Sequence, residues 1–343
     1  MKIKINDTFF VFFNDFSLAS SLDSVASSFS FTVKHEKDNP NHKNLFRPLS
    51  FHKVEFFNDK NQLFFTGTIV SHKFSSKETP ELVQLSGYSL PGILEDCTIP
   101  YSAYPLESIA SNLKEITEKI LKNFGLSLVV DKSVFREVST SYKKSVAKPE
   151  GVIKDYLSKL AAQRNVIVSH DRHGRLVYFR PDANAKSVQK YNEQNTTEMS
   201  LDVNGQGMHS ELTILRQQNG KDKSSSSKSD TIQNPLVKKF RPSVQIMTEG
   251  EDTETKGAVE NYLADELKNI KVQININRWD GMMIGDIIEV HNHEIFLFKN
   301  VRMMVESTTI NENSDGRTMS ISAVLPETFS GKIPKTIFND FHS

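Results

Sequence analysis

The chain has one cysteine, Cys97, and one tryptophan, Trp279, in 343 residues. A lone thiol cannot form an internal bridge, so a disulfide-stapled scaffold is excluded and a reducing folding compartment is expected. Cys97 then reads as a small buried side chain rather than a nucleophile. No charge of one sign dominates either: 42 Lys and Arg balance 42 Asp and Glu, which removes the global field of a nucleic-acid or anionic-membrane binder. No apolar run approaches the roughly 18 residues that span a bilayer. The start, MKIKINDTFFVFF, is broken by Asn6 and Asp7 and lacks a small-residue cleavage site, so the chain is read as soluble and unprocessed. There is no G-x-S-x-G, H-E-x-x-H, P-loop or dinucleotide-binding glycine pattern.

Phenylalanine is abundant, at 23 residues, and sits in short alternating runs. Phe29, Phe31 and Val33 alternate with polar residues, as do Val54 and Phe56, so each run reads as a strand with one buried face. A stacking platform for single-stranded nucleic acid would interleave such aromatics with Lys or Arg. Phe56-Phe57 and Phe64-Phe65 lack that interleaving and are assigned to the core. Asn58-Asp59-Lys60-Asn61 supplies a turn. The first hundred residues therefore read as a β meander.

Beyond Pro100 the period changes. Leu106, Ile109, Leu113, Ile116, Ile120 and Phe124 share a helix face, with Pro105 near the expected start and Gly125 at the stop. A strand at Leu126–Val130, a helix over Pro149–Arg164 and a hairpin from Val166 to Pro181 complete an α+β unit. Thr213–Leu215 and Phe240–Ile246 read as strands around the low-complexity run Gly220–Asp230, which is expected to be a mobile loop. A helix over Gly257–Asn269 then leads into a strand at Lys271–Ile276.

The last hundred residues repeat the rhythm of the first. Val54–Phe56, Leu63–Phe65, Thr68–Val70, Val83–Leu85 and Pro91–Leu94 are matched by Ile288–Val290, Phe296–Phe298, Val301–Met303, Met319–Ile321 and Pro326–Phe329. The offsets are about 233 to 236 residues, and the match lies in element spacing, because residue identity is poor.

Candidates for chemistry are few. His291 and His293 have the i,i+2 spacing that binds zinc on a strand if a third ligand converges, but their flanks place them in an exposed hairpin turn. His170 and His173 flank Asp171 in an expected solvated turn, and Glu249–Asp252 is an acidic loop able to hold a hard cation or simply be solvated. No catalytic, cofactor-binding or metal residue is assigned.

The run Ser28–Val33, the hairpin Pro48–Val70 and the segment Val83–Cys97, with Gly67, Gly87, Ser89, Leu94, Asp96 and Cys97 at their places, resemble the opening domain of the baseplate hub proteins of contractile phage tails, the family of the Mu and T4 hubs and the P2 late control protein D. Leu49-Ser50 stands where that family usually has glycine. Val152–Pro181, ending in HGRLVYFRP, extends the likeness, and 271–329 carries it less strongly.

The resemblance implies an α+β, mainly β chain. Its expected domains are a first β-barrel over 1–100, an α+β domain over 101–200, a connecting segment over 201–245 with a flexible loop at 218–231, a second β-barrel over 246–330 and a tail over 331–343. It implies a structural, non-enzymatic late protein with no cofactor. The expected assembly is a homotrimer joining a sixfold tail tube protein to a threefold central spike protein, with wedge or tape-measure proteins as further partners. DNA would only pass through its channel, without stable membrane binding. The expected location is the virion baseplate, after assembly in the host cytoplasm. On the residues alone, a tail-associated cell-wall hydrolase and an OB-like carbohydrate- or nucleic-acid-binding module are the competing classes.

Overall fold

The computed structural model describes residues 1–22, 24–76, 81–216, 229–247, 255–329, 332–334 and 337. The chain opens with strands β1 (Lys2–Ile5), β2 (Thr8–Phe10), β3 (Asn14–Ser21) and β4 (Ser28–Lys34) and the short helix α1 (Pro40–Leu45). Strands β5 (Lys53–Phe57), β6 (Leu63–Phe74) and β7 (Leu82–Ser89) and the one-turn helix α2 (Ile93–Asp96) follow. The expected alternation holds: Phe29, Phe31, Val33, Val54 and Phe56 are all buried. In the β5–β6 turn the Asn58 carboxamide oxygen accepts from the backbone N–H groups of Lys60 and Gln62, and Asn61 takes a left-handed φ of 56°.

The middle of the chain holds β8 (Glu107–Ile109), α3 (Leu113–Leu121), β9 (Leu128–Val130), α4 (Phe135–Ser139), β10 (Lys144–Val146), α5 (Ile153–Ala162), β11 (Ile167–His170) and β12 (Leu176–Phe179). Leu113, Ile116, Ile120, Leu157, Leu160 and Tyr178 pack together in a second core, which Val25 and Leu94 of the first region join. The helix expected from Pro105 starts later, at Leu113. Asn112 and Glu115 form a capping box there, and Glu107–Ile109 is withdrawn into a ladder with β10.

Strands β13 (Gln189–Tyr191), β14 (Glu198–Val203), β15 (Glu211–Arg216), β16 (Ser229–Gln233) and β17 (Pro242–Met247), helix α6 (Thr255–Leu267), and strands β18 (Ile270–Ile276), β19 (Ile287–Asn292), β20 (Leu297–Asn313) and β21 (Gly316–Val324) complete the chain. Much of the expected connecting segment 201–245 is thus a small sheet, β16-β15-β17, packed on α6. Of the expected loop 218–231, residues 218–228 lie outside the described residues, and Ser229–Thr231 belong to β16. Glu249–Asp252 and most of the 331–343 tail also lie outside them.

The protein is mainly β, but no closed barrel forms among the described residues. The two expected barrels are instead joined in one 13-stranded sheet with the order β14-β18-β21-β20-β3-β4-β7-β6-β5-β1-β2, to which β19 and β13 attach through β20. The cause is the length of β20. Its first part pairs with β19, and beyond a bulge at Val305/Ser307 the strand runs on to pair with β3. Both ends of the chain consequently share one hydrophobic core, containing Phe16, Phe56 and Ile69 from the first region and Ile274, Met303 and Ile321 from the last.

The repeat read from spacing reappears as pairing register. On β6 and β7, Ser71 opposes Ser86 and His72 opposes Leu85 after a bulge between Ile69 and Ser71. On β20 and β21, Ser307 opposes Ser322 and Thr308 opposes Ile321 after a bulge between Val305 and Ser307. One offset relates all four pairs. The next strands follow suit: Ser30 of β4 opposes Ser86 as Gln273 of β18 opposes Ser322, and Ser17 of β3 opposes Ser30 as Ser200 of β14 opposes Gln273. In this mapping β6 corresponds to β20, β7 to β21, β4 to β18 and β3 to β14.

Candidate functional site

The surface with a distinctive composition is the face of the large sheet turned away from the core. Alternation puts Phe29, Leu18, Ile310 and Met319 inward, so their neighbours in sequence face outward. One row across six strands reads Thr318, Asn311, Ser17, Ser30, Ser86, Ser71. The next reads Glu198, Asn275, Ser320, Thr309, Ala19, Ser28, Tyr88. The first row holds no charge and no aromatic ring, in a chain that is 24% charged and 9% aromatic, and the second is bounded by Glu198 and Tyr88. The rows cross the β20–β3 junction without a change of character, and within them the Ser320 hydroxyl donates to the Asn275 carboxamide at 2.7 Å. The centre of this face, built of hydroxyls and amides, offers no fixed cation to a phosphate chain and no apolar patch to an unfolded polypeptide, and charge enters at its margins with Lys73, Asp202 and Glu198.

This face ends at two open edges. Among the described residues, Ser71–Phe74 of β6 pair only with β7, and β14 pairs only with β18. Phe74 and Val203, on these edges, are each 43% exposed.

On the core side of the junction the β11–β12 hairpin of the α+β unit docks against the sheet. His170 Nε2 lies 2.7 Å from the Ser27 hydroxyl, which donates to the Ser20 hydroxyl at 2.8 Å. The Thr66 hydroxyl donates to the Arg172 carbonyl at 2.8 Å. His170 was expected in a solvated turn; it is instead the last residue of β11 and is turned toward Ser27, and burial holds its imidazole below the usual range. Burial raises the Asp171 carboxyl, but hydrogen bonds from Arg175 and the His173 N–H outweigh it and leave the group lowered. His173 is exposed. Beside this contact is a cavity of about 270 Å³ lined by Phe64, Trp279, Met282, His170 and Arg172. Sequence periodicity could not find it, because its walls come from five distant segments.

The other expected positions are quickly placed. His291 lies within strand β19 and is half-buried rather than in an exposed turn, whereas His293 is exposed in the turn that follows, and their Nε2 atoms are 3.1 Å apart. Among the described residues no group of three or more His, Cys, Asp or Glu is arranged to hold a metal. Cys97 is half-buried against the α+β core rather than fully buried. Arg317 ties the two regions together by bonding both Glu312 and Asp59, and Asp59 also accepts from the N-terminal ammonium at 2.6 Å. The Arg317 and N-terminal hydrogen bonds hold the Asp59 carboxyl well below the usual carboxylate range. Among the described residues no helix is long and apolar enough to cross a membrane.

No protein-family model matches the sequence, and no curated protein matches it. Solved structures do. A prophage MuSo2 43 kDa tail protein from Shewanella oneidensis superposes with a TM-score of 0.79 at 17% identity, covering 95% of this chain and 98% of that one. A tail protein from Neisseria meningitidis MC58 gives 0.75 at 17%, with 95% and 98% covered. A component of the E. coli type VI secretion system, itself described as similar to the T4 tail proteins gp27 and gp5, gives 0.58 at 11%, with 98% and 77% covered. At these identities the likeness is one of fold: the chain carries the fold of these phage tail proteins.

Proposed function

We propose that the chain is a structural component of a phage-type tail baseplate, serving as the central hub between a sixfold tail tube and a threefold spike. The observation that carries this reading is the repeated register. Each chain presents two halves of matching strand order, so three chains offer six similar halves to a hexameric ring on one side and three equivalent chains to a spike on the other. Each half acts as a barrel-like unit, the first near 1–100 and the second near 246–330, with the α+β unit standing outside them.

In this assembly the hydroxyl face turns toward the channel, and its uncharged centre lets DNA pass without binding it. The α+β unit is left free to meet wedge or tape-measure proteins. The work is mechanical, with no catalytic step or cofactor, and the protein belongs in the virion after assembly in the host cytoplasm. Light scattering on the purified protein tests the reading. A trimer is expected, with interfaces of the obligate class above about 2,000 Å². A monomer or dimer at every accessible concentration would contradict it.

A further inference from the structure

The β20–β3 junction shows what completes an edge of this sheet. After its bulge, β20 places Thr308 opposite Ser20, Thr309 opposite Ala19, Ile310 opposite Leu18 and Asn311 opposite Ser17. The register mapping makes His72, Lys73, Phe74 and Ser75 the counterparts of Thr308 to Asn311, and Val203, Asp202, Leu201 and Ser200 the counterparts of Ser20 to Ser17. These counterparts are the two open edges.

We propose that β6 of one copy pairs antiparallel with β14 of a second copy, in the register of the internal junction. Lys73 then faces Asp202, Phe74 faces Leu201, His72 faces Val203, and Ser75 faces Ser200. This deepens the hub reading and rests on it for ring closure.

Three observations select a second copy as the occupant. The first is exposure. Ile310 and Leu18 at the internal junction are 8% and 5% exposed, whereas Phe74 is 43% exposed and Leu201 half-exposed, and the proposed pairing brings those two together on the core side. The second is charge. Lys73 and Asp202 are exposed, opposite in sign, and without an ion pair among the described residues, and the register sets them directly across from each other. The third is the ladder itself. An unpaired edge is a template for another strand, and a head-to-tail contact of this kind, repeated, closes a ring when the rotation permits.

The test is a charge exchange read by solution mass. Lys73→Asp and Asp202→Lys each set like charges opposite one another, so each should lose the high-mass species at concentrations where the parent assembles. The double variant should regain it. Both sites are exposed, so urea midpoints of the monomer should not move, which separates lost assembly from lost folding. A second arm uses Ser75→Cys and Ser200→Cys on a Cys97→Ser background, where mild oxidation should link neighbouring copies. A parent that assembles while the reversals leave its mass unchanged and no link forms would overturn this pairing, assign the edges to a strand of another protein, and leave the hub reading standing. A parent that never assembles would overturn both.

Discussion

The two halves of the large sheet share a register and differ in how their edges end. In the last half β20 runs past its bulge into β3, and Ile310 is 8% exposed. In the first half β6 runs past an equivalent bulge into solvent, and Phe74, its counterpart, is 43% exposed. Both positions are large and apolar, so the difference lies in the partner rather than the sequence. An apolar residue on a free strand edge, at a position its repeat buries, marks an unfinished contact.

The halves also differ inside. Gly87 of β7 corresponds to Ala323 of β21, yet a Cβ at Gly87 would sit 1.9 Å from the Thr68 carbonyl oxygen and 2.9 Å from the Phe29 ring. In the first half the Thr68 carbonyl and then the Phe29 ring occupy that space. Gly87→Ala should therefore destabilise the fold by about 3 kcal/mol or more, while Ala323→Gly should cost about 1 kcal/mol. Urea titration of both checks the contrast, and equal effects would end it.

Next in size is the pair Ile310→Ala and Phe74→Ala. The first should cost about 2–4 kcal/mol by opening the buried junction. The second should change monomer stability by less than about 1 kcal/mol while abolishing assembly. Denaturation and mass measurements on the same samples separate the two outcomes.

A smaller effect concerns the clamp beside the junction. His170 is kept neutral in the folded protein because burial lowers its pKa, whereas the unfolded chain takes up a proton below about pH 6.5. The unfolded state then binds more protons, so stability is full above that value and falls as the pH drops through it. Urea midpoints at pH 7.5 and pH 5 should show the loss, and His170→Gln should reduce it. Smallest of all, His291→Ala with His293→Ala should leave melting and mass unchanged, because among the described residues the half-buried His291 ring of β19 and the exposed His293 ring after it meet only each other and Phe298. Stoichiometric zinc in elemental analysis would contradict that expectation.

Much of the fold was legible because period 2 and period 3.6 are written plainly in the chain. Phe29, Phe31 and Val33 announced β4, and the spacing around Leu63–Phe65 and Phe296–Phe298 announced the repeat. The start of α3 was misplaced, because apolar Leu106 and Ile109 continue the helical period while the capping box at Asn112 decides the boundary. Two closed barrels were expected because spacing shows which strands are neighbours in sequence but not that β20 reaches β3 nearly three hundred residues away. The neutral face was hidden for the same reason. Ser17, Ser30, Ser86 and Asn311 look like ordinary solvent positions until pairing sets them in one row. His170 looked solvated because turn composition says nothing of Ser27, which meets it from another element.

The most direct measurement is a cryo-electron microscopy structure of the assembled protein. Its sheet should continue from β6 of one copy into β14 of the next, with Lys73 in ion-pair contact with Asp202 and three copies closing the ring around the hydroxyl face. Copies that meet through the α+β unit, leaving Phe74 and Val203 in solvent and the hydroxyl face on the outside, would contradict it.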